Sequence, residues 1–458
     1  MVAIMLSFDR GYLAFLDLGL GTAALQQMAG RDINNRRKVK RELLRRYALL
    51  SLVGIGIVIL SARLLLGSLD STVNFEDPKT IALCFALRLP FDMARMAHSV
   101  DLESQSRFLP LRLIDLLGQA SWVIFAILAA ANDYLVTTGA KVYLLVGVAQ
   151  FVGSTLVTRE RLPSGSWRNK TKAADIRPDL WTNGKWVALQ RANGVIYANM
   201  DRFILVSLVG FASVGEYDIP YKFQALGVLM LSLMPSAIFP VAASYARDGA
   251  DGDLGELFTR GTRMTIAACI PPLLSLIFVT NDLISLWVGN QFLYLATSVR
   301  LFTSWTFLAV FHVVGITMLT AVGRNRAVFL LSLSSTVINL PVSIVLGQRW
   351  GINGVILGTL LSYLGVFFPY LFAELRTFSV STSDWIRSIA LPNLAPTLTQ
   401  AAFALPMLHL MNGMPSVMRC IIVGGGGCAA FWLVYFFITG PQQDRSLLRG
   451  LQTRSPKR

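Results

Sequence analysis

Polar side chains at helical spacing run through an apolar stretch near the middle of this sequence. Gln190, Asn193, Tyr197 and Asp201 stand at i, i+3, i+7 and i+11, so on a helix they share one face. The next apolar stretch continues the pattern with Tyr217, Tyr221 and Gln224. Amide, phenol and carboxylate groups can hydrogen-bond a polar solute, whereas the side chains around them are apolar. The spacing therefore predicts that these polar stripes line a cavity enclosed by the protein.

Ionisable residues also lie inside apolar stretches, where a charge is difficult to bury. Near the centre of a membrane helix each one costs roughly 2.5–3.5 kcal/mol on insertion scales, so we expect them to face an interior. They are Asp9, Arg10, Asp17, Arg88, Asp92, Arg95, Asp201, Arg202, Lys222 and Arg300.

Two interpretations fit the stripe of Arg88, Asp92 and Arg95, which stand at i, i+4 and i+7 on one helix. These side chains can neutralise one another as structural ion pairs. Alternatively, they can contribute to a hydrated lumen of net basic character, which suits an anionic phosphate or diphosphate headgroup. On the second interpretation, the candidate substrate-binding residues are Arg10, Asp17, Arg88, Asp92, Arg95, Gln190, Asn193, Tyr197, Asp201, Tyr221, Lys222 and Arg300.

The composition shows which class of protein must position these residues. Of 458 residues, 54% are hydrophobic and 15% are charged, and the mean hydropathy is +0.56, which is typical of a polytopic membrane protein. The net charge of +15 fits basic cytoplasmic loops better than a nucleic-acid partner. Four dispersed cysteines and three isolated histidines form neither a metal-ligand pattern nor a catalytic constellation, and no cofactor is expected.

The fold class predicted is all-α, with about thirteen transmembrane helices. Apolar runs of about 20 residues, enough to cross a hydrocarbon core, fall at 2–29, 47–67, 80–100, 109–131, 140–158, 184–210, 217–245, 264–281, 295–322, 327–347, 352–374, 387–411 and 417–439. A weak internal repeat predicts two parallel, pseudo-symmetric lobes around a central cavity. The predicted domains are an amino-terminal lobe (1–158), a cytoplasmic linker (159–183), a carboxyl-terminal lobe (184–375), two additional helices (376–439) and a basic cytoplasmic tail (440–458).

Lys and Arg are concentrated in alternate loops, which predicts the orientation in the membrane. The base-rich loops include 31–46 and 159–185, and the base-poor loops include 68–79 and 282–294. By the positive-inside rule the base-rich side and the carboxyl end are cytoplasmic. Met1 then lies outside, so we expect either an amino-out first span or a preceding span that this chain lacks.

Several sequence blocks resemble a known family in the right order along nearly the whole chain. They are LDLGLGTA (16–23), NMDRFILVSLVGFASVGEYDIPYKF (199–223), LISLWVGNQFLYLA (283–296), GRNR (323–326) and WGINGVILGTLLSY (350–363). These blocks resemble the polysaccharide flippases of the multidrug/oligosaccharidyl-lipid/polysaccharide exporter superfamily. The resemblance implies two lobes of six helices, often followed by two more, with the LDLGLGTA span as the family's second helix.

The resemblance also implies a function. It predicts translocation of a lipid-linked oligosaccharide, carried on undecaprenyl diphosphate, across the bacterial inner membrane during synthesis of O-antigen or exopolysaccharide. The implied partners are this anionic lipid-linked substrate, membrane lipids, and the polysaccharide polymerase and export machinery, without nucleic acid.

Two alternatives remain open. A multidrug or cation antiporter of the same superfamily should have an acidic lumen, whereas bases exceed acids among the residues inside these spans. A membrane-embedded glycosyltransferase or polymerase should carry its chemistry in a large outside loop, and the predicted outside loops are short.

Overall fold

The structure of this chain is a computed structural model. It describes residues 16–29, 33–68, 78–105, 107–132, 136–158, 181–210, 212–249, 251–441 and 444. Asp9 and Arg10, most of the predicted linker and the basic tail from 445 onward lie outside the described residues. The chain divides into two compact units, Met1–Ala192 (unit 1) and Asn193–Arg458 (unit 2).

Unit 1 is built around one central helix, Pro78–Ser104, which packs against several other helices of the unit. Its helices are α1 (Leu20–Met28), α2 (Ile33–Ser68), α3 (Pro78–Ser104), α4 (Phe108–Asn132), α5 (Val136–Thr158) and the first part of α6 (Trp181–Leu208). Helix α3 packs against α1, α2 and α5, and α4 packs on the outside against α5. The charged stripe of the sequence lies on α3, so the unit buries it by making α3 the core helix.

The described part of the predicted first span, 2–29, contains a break. Helix α1 begins at Leu20, and a turn over residues 17–19 precedes it. Leu18 and Gly19 have positive φ angles, 46° and 71°. Gly19 also lies so close to α6 that a Cβ atom there would be 2.4 Å from the Gly184 carbonyl oxygen. Glycine satisfies both requirements because it has no Cβ and adopts left-handed conformations readily.

Unit 2 contains the rest of α6 and all later elements. They are α7 (Ala212–Leu231), α8 (Leu233–Asp248), α9 (Asp251–Phe278), α10 (Thr280–Trp287), a 3₁₀ helix (Asn290–Leu295), α11 (Ala296–Ala309), α12 (Val313–Ala321), α13 (Asn325–Thr377), α14 (Thr382–Trp385), α15 (Leu391–Leu410), α16 (Ser416–Arg419) and α17 (Gly426–Val434), with π-helical segments at Ile386–Ala390, Cys420–Gly425 and Tyr435–Thr439. Helix α11 packs against α7, α9 and α13, and α12 packs against α8, α9 and α13.

Helix α13 is a helical hairpin that bends at one residue. Gly351 has φ 55° and ψ −130°, which only glycine adopts without strain, and it separates the two halves. Beyond the bend, small residues let the backbones approach: a Cβ on Gly354 would lie 2.0 Å from the Leu346 carbonyl oxygen, and one on Gly358 would lie 2.3 Å from Ser343 Oγ. The predicted spans 327–347 and 352–374 are these two halves.

The prediction of an all-α, polytopic membrane protein is confirmed. Regular structure in the described residues is entirely helical. Six helices there are long and apolar enough to cross a membrane, or up to seven if the pair Asn290–Ala309 and Val313–Ala321, bent by 45°, is one span. Large apolar side chains such as Leu109, Phe203 and Phe372 are exposed, as expected for helices that face lipid. The count of thirteen, the domain boundaries and the arrangement of lobes around a cavity stay predictions.

Candidate binding and ion sites

Arg88, on α3, is buried among partners within unit 1. Its Nε donates to Asp92 Oδ2 at 2.7 Å, and its Nη1 donates to the Tyr143 carbonyl oxygen at 2.7 Å. The guanidinium also lies 3.6 Å from the centre of the Tyr143 ring, close enough for a cation–π interaction. Only 7% of Arg88 is exposed. Its donors are therefore committed to hydrogen bonds that anchor α3 against α5.

Arg95 lies about two turns after Arg88 on α3. It completes a neutral cluster with Asp115, which the sequence analysis did not include among the candidate residues. Its Nη1 donates to Asp115 Oδ1 on α4 at 2.6 Å, while its Nε lies 3.8 Å from Asp92 Oδ1. The cluster thus holds two arginines and two aspartates. This geometry corresponds to the ion-pair interpretation of the stripe. Asp115 could have been recognised from the sequence, because it is an acidic residue inside the predicted span 109–131.

Asp17, in the turn before α1, is fully buried, with no exposed surface. Its carboxylate accepts hydrogen bonds from the Tyr47 hydroxyl, from Arg191 Nη1 and from the Gly21 backbone N–H, the last at 2.9 Å. Arg191 Nη2 also donates to Thr22 Oγ1 at 3.2 Å. Arg191 is therefore the ionic partner of Asp17, and sequence reasoning missed it although it directly follows Gln190. Gln190 itself is partly buried on α6.

Within unit 2, Asp201 lies at the centre of a buried cluster of oxygen atoms. It accepts hydrogen bonds from Tyr217 Oη at 3.0 Å and from Thr359 Oγ1 at 3.0 and 3.2 Å. Asn339 Nδ2 donates to Thr359 Oγ1 at 3.3 Å. Ser343 Oγ donates to Asn339 Oδ1 and, at 3.1 Å, to the Val355 carbonyl oxygen. The α13 hairpin thus brings both of its halves to the carboxylate on α6.

The chemistry of this cluster suits a small hard cation. Carboxylate, amide, hydroxyl and carbonyl oxygens are the ligands of hard cations. The Asp201 cluster brings together one carboxylate and several neutral oxygens of these types. Its members Asn339, Ser343 and Thr359 were missed because neutral residues at such separations give no recognisable motif.

The other members of the stripe on α6 also point into unit 2. Asn193 is buried, and its Nδ2 donates to Ser332 Oγ at 3.3 Å. The Tyr197 hydroxyl lies near Ser335, Ser362 and Trp305. Its oxygen is buried and has no hydrogen-bond partner in the described part of the chain. Asn193, Tyr197 and Asp201 therefore share one buried face, as their spacing predicted, while their role in substrate binding stays a prediction.

The candidate bases Lys222 and Arg300, together with Arg202, are exposed or partly exposed in unit 2. Arg202 pairs with Asp218 at 2.9 Å, and its guanidinium lies 4.3 Å from the centre of the Tyr221 ring. The exposed Lys222 places its Nζ 5.6 Å from the centre of the Trp287 ring. Another partly exposed base, Arg300, donates to Asn281 Oδ1 at 3.0 Å. Lys222 and Arg300 show no carboxylate partner among the ion pairs of the described residues.

An apolar groove runs along α6 beside the polar face. Its volume is about 730 Å³, and Ile196, Phe203, Leu208, Leu340 and Ile344 are among its lining residues. Helix α6 therefore presents hydrogen-bonding groups and an apolar groove on neighbouring faces, all within unit 2.

Comparison with known proteins identifies relatives of this chain. The profile of a family described as "Polysaccharide biosynthesis protein" matches residues 1–297. A curated protein of Haloferax volcanii, named "Probable low-salt glycan biosynthesis flippase Agl15", is 20% identical over 69% of this chain. That match covers 64% of the relative, so the chain spans less than two thirds of its length.

Solved structures share the fold. An outward-facing multidrug resistance MATE family transporter of the MOP superfamily has a TM-score of 0.66 at 15% identity, covering 81% of this chain and 84% of its own. The lipid II flippase MurJ, in an inward closed conformation, has a TM-score of 0.58 at 14% identity, covering 98% of this chain and 92% of its own. At such identities the likeness is evidence for the fold alone. The comparisons agree with the resemblance found in the sequence.

Proposed function

Since this chain belongs to the family of polysaccharide biosynthesis proteins, whose profile spans residues 1–297, we propose that it moves a lipid-linked oligosaccharide across a membrane by alternating access. The relative in Haloferax volcanii carries the name of a glycan biosynthesis flippase, and MurJ carries that of a lipid II flippase. We propose that this chain has the flippase activity that these names state.

The observation that carries the proposal is that α6 places a buried polar face beside an apolar groove. A lipid-linked oligosaccharide has a long isoprenoid tail and a polar head, and a protein that moves it must accommodate both. The groove lined by Ile196, Phe203 and Leu340 offers an apolar surface with a volume of about 730 Å³. Asn193, Tyr197 and Asp201 offer hydrogen-bonding groups on the neighbouring face of the same helix. A drug-sized solute would need no such groove for a tail.

The substrate and its location can be proposed more finely. We propose undecaprenyl diphosphate as the carrier, the bacterial cytoplasmic membrane as the site, a cytoplasmic carboxyl end, and polysaccharide polymerase and export machinery as further partners. For the diphosphate, the accessible bases Lys222 and Arg300 are better candidates than Arg88 and Arg95, because carboxylates already neutralise the latter pair. Arg10 and Tyr221 remain in the proposed set because the sequence predicts that they line the lumen.

A genetic experiment tests the activity. In cells of the source organism that lack this gene, surface polysaccharide should fall and the lipid-linked oligosaccharide should accumulate on the cytoplasmic side, where lectin labelling of inverted membrane vesicles can detect it. A strain lacking the last glycosyltransferase is the matched control, because it loses surface polysaccharide without accumulating the completed substrate. Normal surface polysaccharide together with an unchanged lipid-linked pool would overturn the proposal.

A further inference from the structure

His312 and Glu374 form a pair that is completely enclosed in unit 2. Both side chains have no exposed surface, and His312 Nδ1 lies 3.1 Å from Glu374 Oε2 and 3.2 Å from Oε1. His312 is the residue at the amino end of α12, and Glu374 lies near the end of the second half of α13. Sixty-two residues separate them in sequence, so only the packing of α12 against α13 brings them together. In the sequence His312 stands isolated, and Glu374 was not among the predicted site residues.

The surroundings leave room for the carboxyl group and little else. A Cβ atom on Gly315, one turn after His312, would lie 2.2 Å from Glu374 Cδ, so the carboxyl group occupies the space that a larger residue would need. The ring of Phe367 lies edge-on at 4.4 Å from the imidazole, and the ring of Tyr370 lies at 5.7 Å. Aromatic walls of this kind exclude water from the ion pair and keep the local dielectric low.

We propose that His312 and Glu374 together form a proton-binding site that holds one exchangeable proton. With one shared proton the pair is neutral overall, whether it is imidazolium with carboxylate or imidazole with carboxylic acid. With none it carries one negative charge, and with two it carries one positive charge. A net charge is strongly disfavoured in a site without solvent. The enclosed pair therefore retains one proton, and it exchanges that proton when the helices around it separate or admit water.

The neighbouring titratable groups are compatible with this proton count. His312 is the titratable group that acts on Glu374, and Tyr363 and Tyr370 are the neighbouring phenols. Tyr197 acts on both of these phenols. Helices α8 and α9 also pack against α12, and none of the groups that act on Glu374, Tyr363 or Tyr370 comes from them.

A series of buried polar atoms extends from the pair toward Asp201. His312 Nε2 has no hydrogen-bond partner in the described part of the chain, and the same holds for Trp305 Nε1, Ser335 Oγ and Tyr197 Oη. The ring of Trp305 lies 5.5 Å from that of Tyr363, which itself lies 6.3 Å from the imidazole. These buried polar groups mark the direction in which the proton could leave the pair when the surrounding helices separate.

The protonation of the pair can be measured without transport, because the chain has only three histidines. In purified protein carrying His98→Asn and His409→Asn, ¹⁵N NMR of the ring reports on His312 alone. We expect the ring nitrogens to show a proton shared with the carboxyl group. The further substitution Glu374→Gln should remove the shared proton, so that the ring nitrogens give the signals of an imidazole without a carboxyl partner. Identical ring signals with and without Glu374→Gln would overturn the proposal.

The use of this proton in transport rests on the proposed function and needs its own measurement. In vesicles containing the protein, an imposed pH gradient should accelerate flipping of the lipid-linked oligosaccharide. Glu374→Gln should abolish the acceleration while leaving exchange without a gradient, and the exposed Asp253→Asn on α9 should behave as wild type. Equal acceleration in Glu374→Gln and wild type would overturn a role in transport. Absence of flipping by the wild-type protein would instead contradict the proposed function, and the NMR experiment would still decide the proton site.

Discussion

Arg88 and Asp92 are joined by a 2.7 Å hydrogen bond, and their side chains are only 8% and 1% exposed. The same arginine lies on the ring of Tyr143 and donates to its carbonyl oxygen. A buried arginine with this many partners fastens two helices together. The charge in the middle of unit 1 therefore stabilises packing. Lys222 and Arg300 of unit 2 are the bases that we propose for an anionic substrate.

Replacing one member of the cluster of Arg88, Asp92, Arg95 and Asp115 should lower the stability of the folded protein. Breaking a buried ion pair costs about 3–5 kcal/mol because the remaining charge is unpaired, so Arg88→Ala should lower the thermal midpoint of the purified protein strongly. Replacing Arg88, Asp92, Arg95 and Asp115 together by apolar residues of similar size should recover most of the stability.

Export per folded molecule separates the two roles of this cluster. If the arginines serve only packing, the fourfold apolar variant should export polysaccharide normally. A well-folded fourfold variant without export would show that Arg88 or Arg95 contacts the substrate. The diphosphate-binding residues would then lie in unit 1, and not at Lys222 and Arg300.

A small cation should stabilise the Asp201 cluster. A ligand present at a hundred times its dissociation constant adds about 2.7 kcal/mol to the stability of the state that binds it. We therefore expect Na⁺ or Li⁺ to raise the thermal midpoint at constant ionic strength, and Asp201→Asn to remove the effect. The exposed Asp253→Asn is the control and should keep the response. A rise of equal size in Asp201→Asn would assign the effect to another site.

Gly147 should not tolerate a methyl group. A Cβ atom there would lie 2.8 Å from Arg88 Nε, so Gly147→Ala should displace the guanidinium from Tyr143 and destabilise the protein. Gly194 is a matched control, since it is also helical and a Cβ atom there meets nothing within 4 Å. Gly194→Ala should be neutral or stabilising by about 0.5–1 kcal/mol. Equal effects of the two substitutions on the thermal midpoint would contradict the packing role of Arg88.

The orientation in the membrane can be tested with reporter fusions. Fusions at Lys38, Lys172 and Ser455 should report cytoplasm, and fusions at Asp70, Asp133 and Gly289 should report the opposite side, because base-rich and base-poor loops alternate. Cytoplasmic activity from any two of the last three would reverse the proposed orientation.

Helical periodicity was sufficient to predict that Asn193, Tyr197 and Asp201 share a face, because that relationship is local to one helix. Their partners were not predictable. Thr359 reaches Asp201 across 158 residues of sequence, and it does so only because Gly351 folds α13 back on itself. Asp115 and Arg191 were detectable as charges inside apolar runs, but their pairing with Arg95 and Asp17 depends on which helices pack together.

Hydropathy alone also could not locate the breaks within helices. The turn before α1 depends on Leu18 and Gly19 adopting positive φ angles, and on a close approach of Gly19 to α6. An apolar run gives no sign of either. The pair of His312 and Glu374 escaped prediction for a similar reason, since a single histidine and a single glutamate in separate apolar runs have no characteristic spacing.

The most direct test of lipid-linked oligosaccharide flipping uses vesicles that contain only the purified protein and a fluorescent lipid-linked oligosaccharide. In protein-free vesicles, a membrane-impermeant quencher reaches only the outer leaflet, so half of the label stays protected. We predict that the protein exposes nearly all of this label, while a labelled phospholipid in the same vesicles stays half protected. Protection of half of the lipid-linked oligosaccharide in the presence of folded protein, under imposed ion gradients of either direction, would contradict the proposed activity.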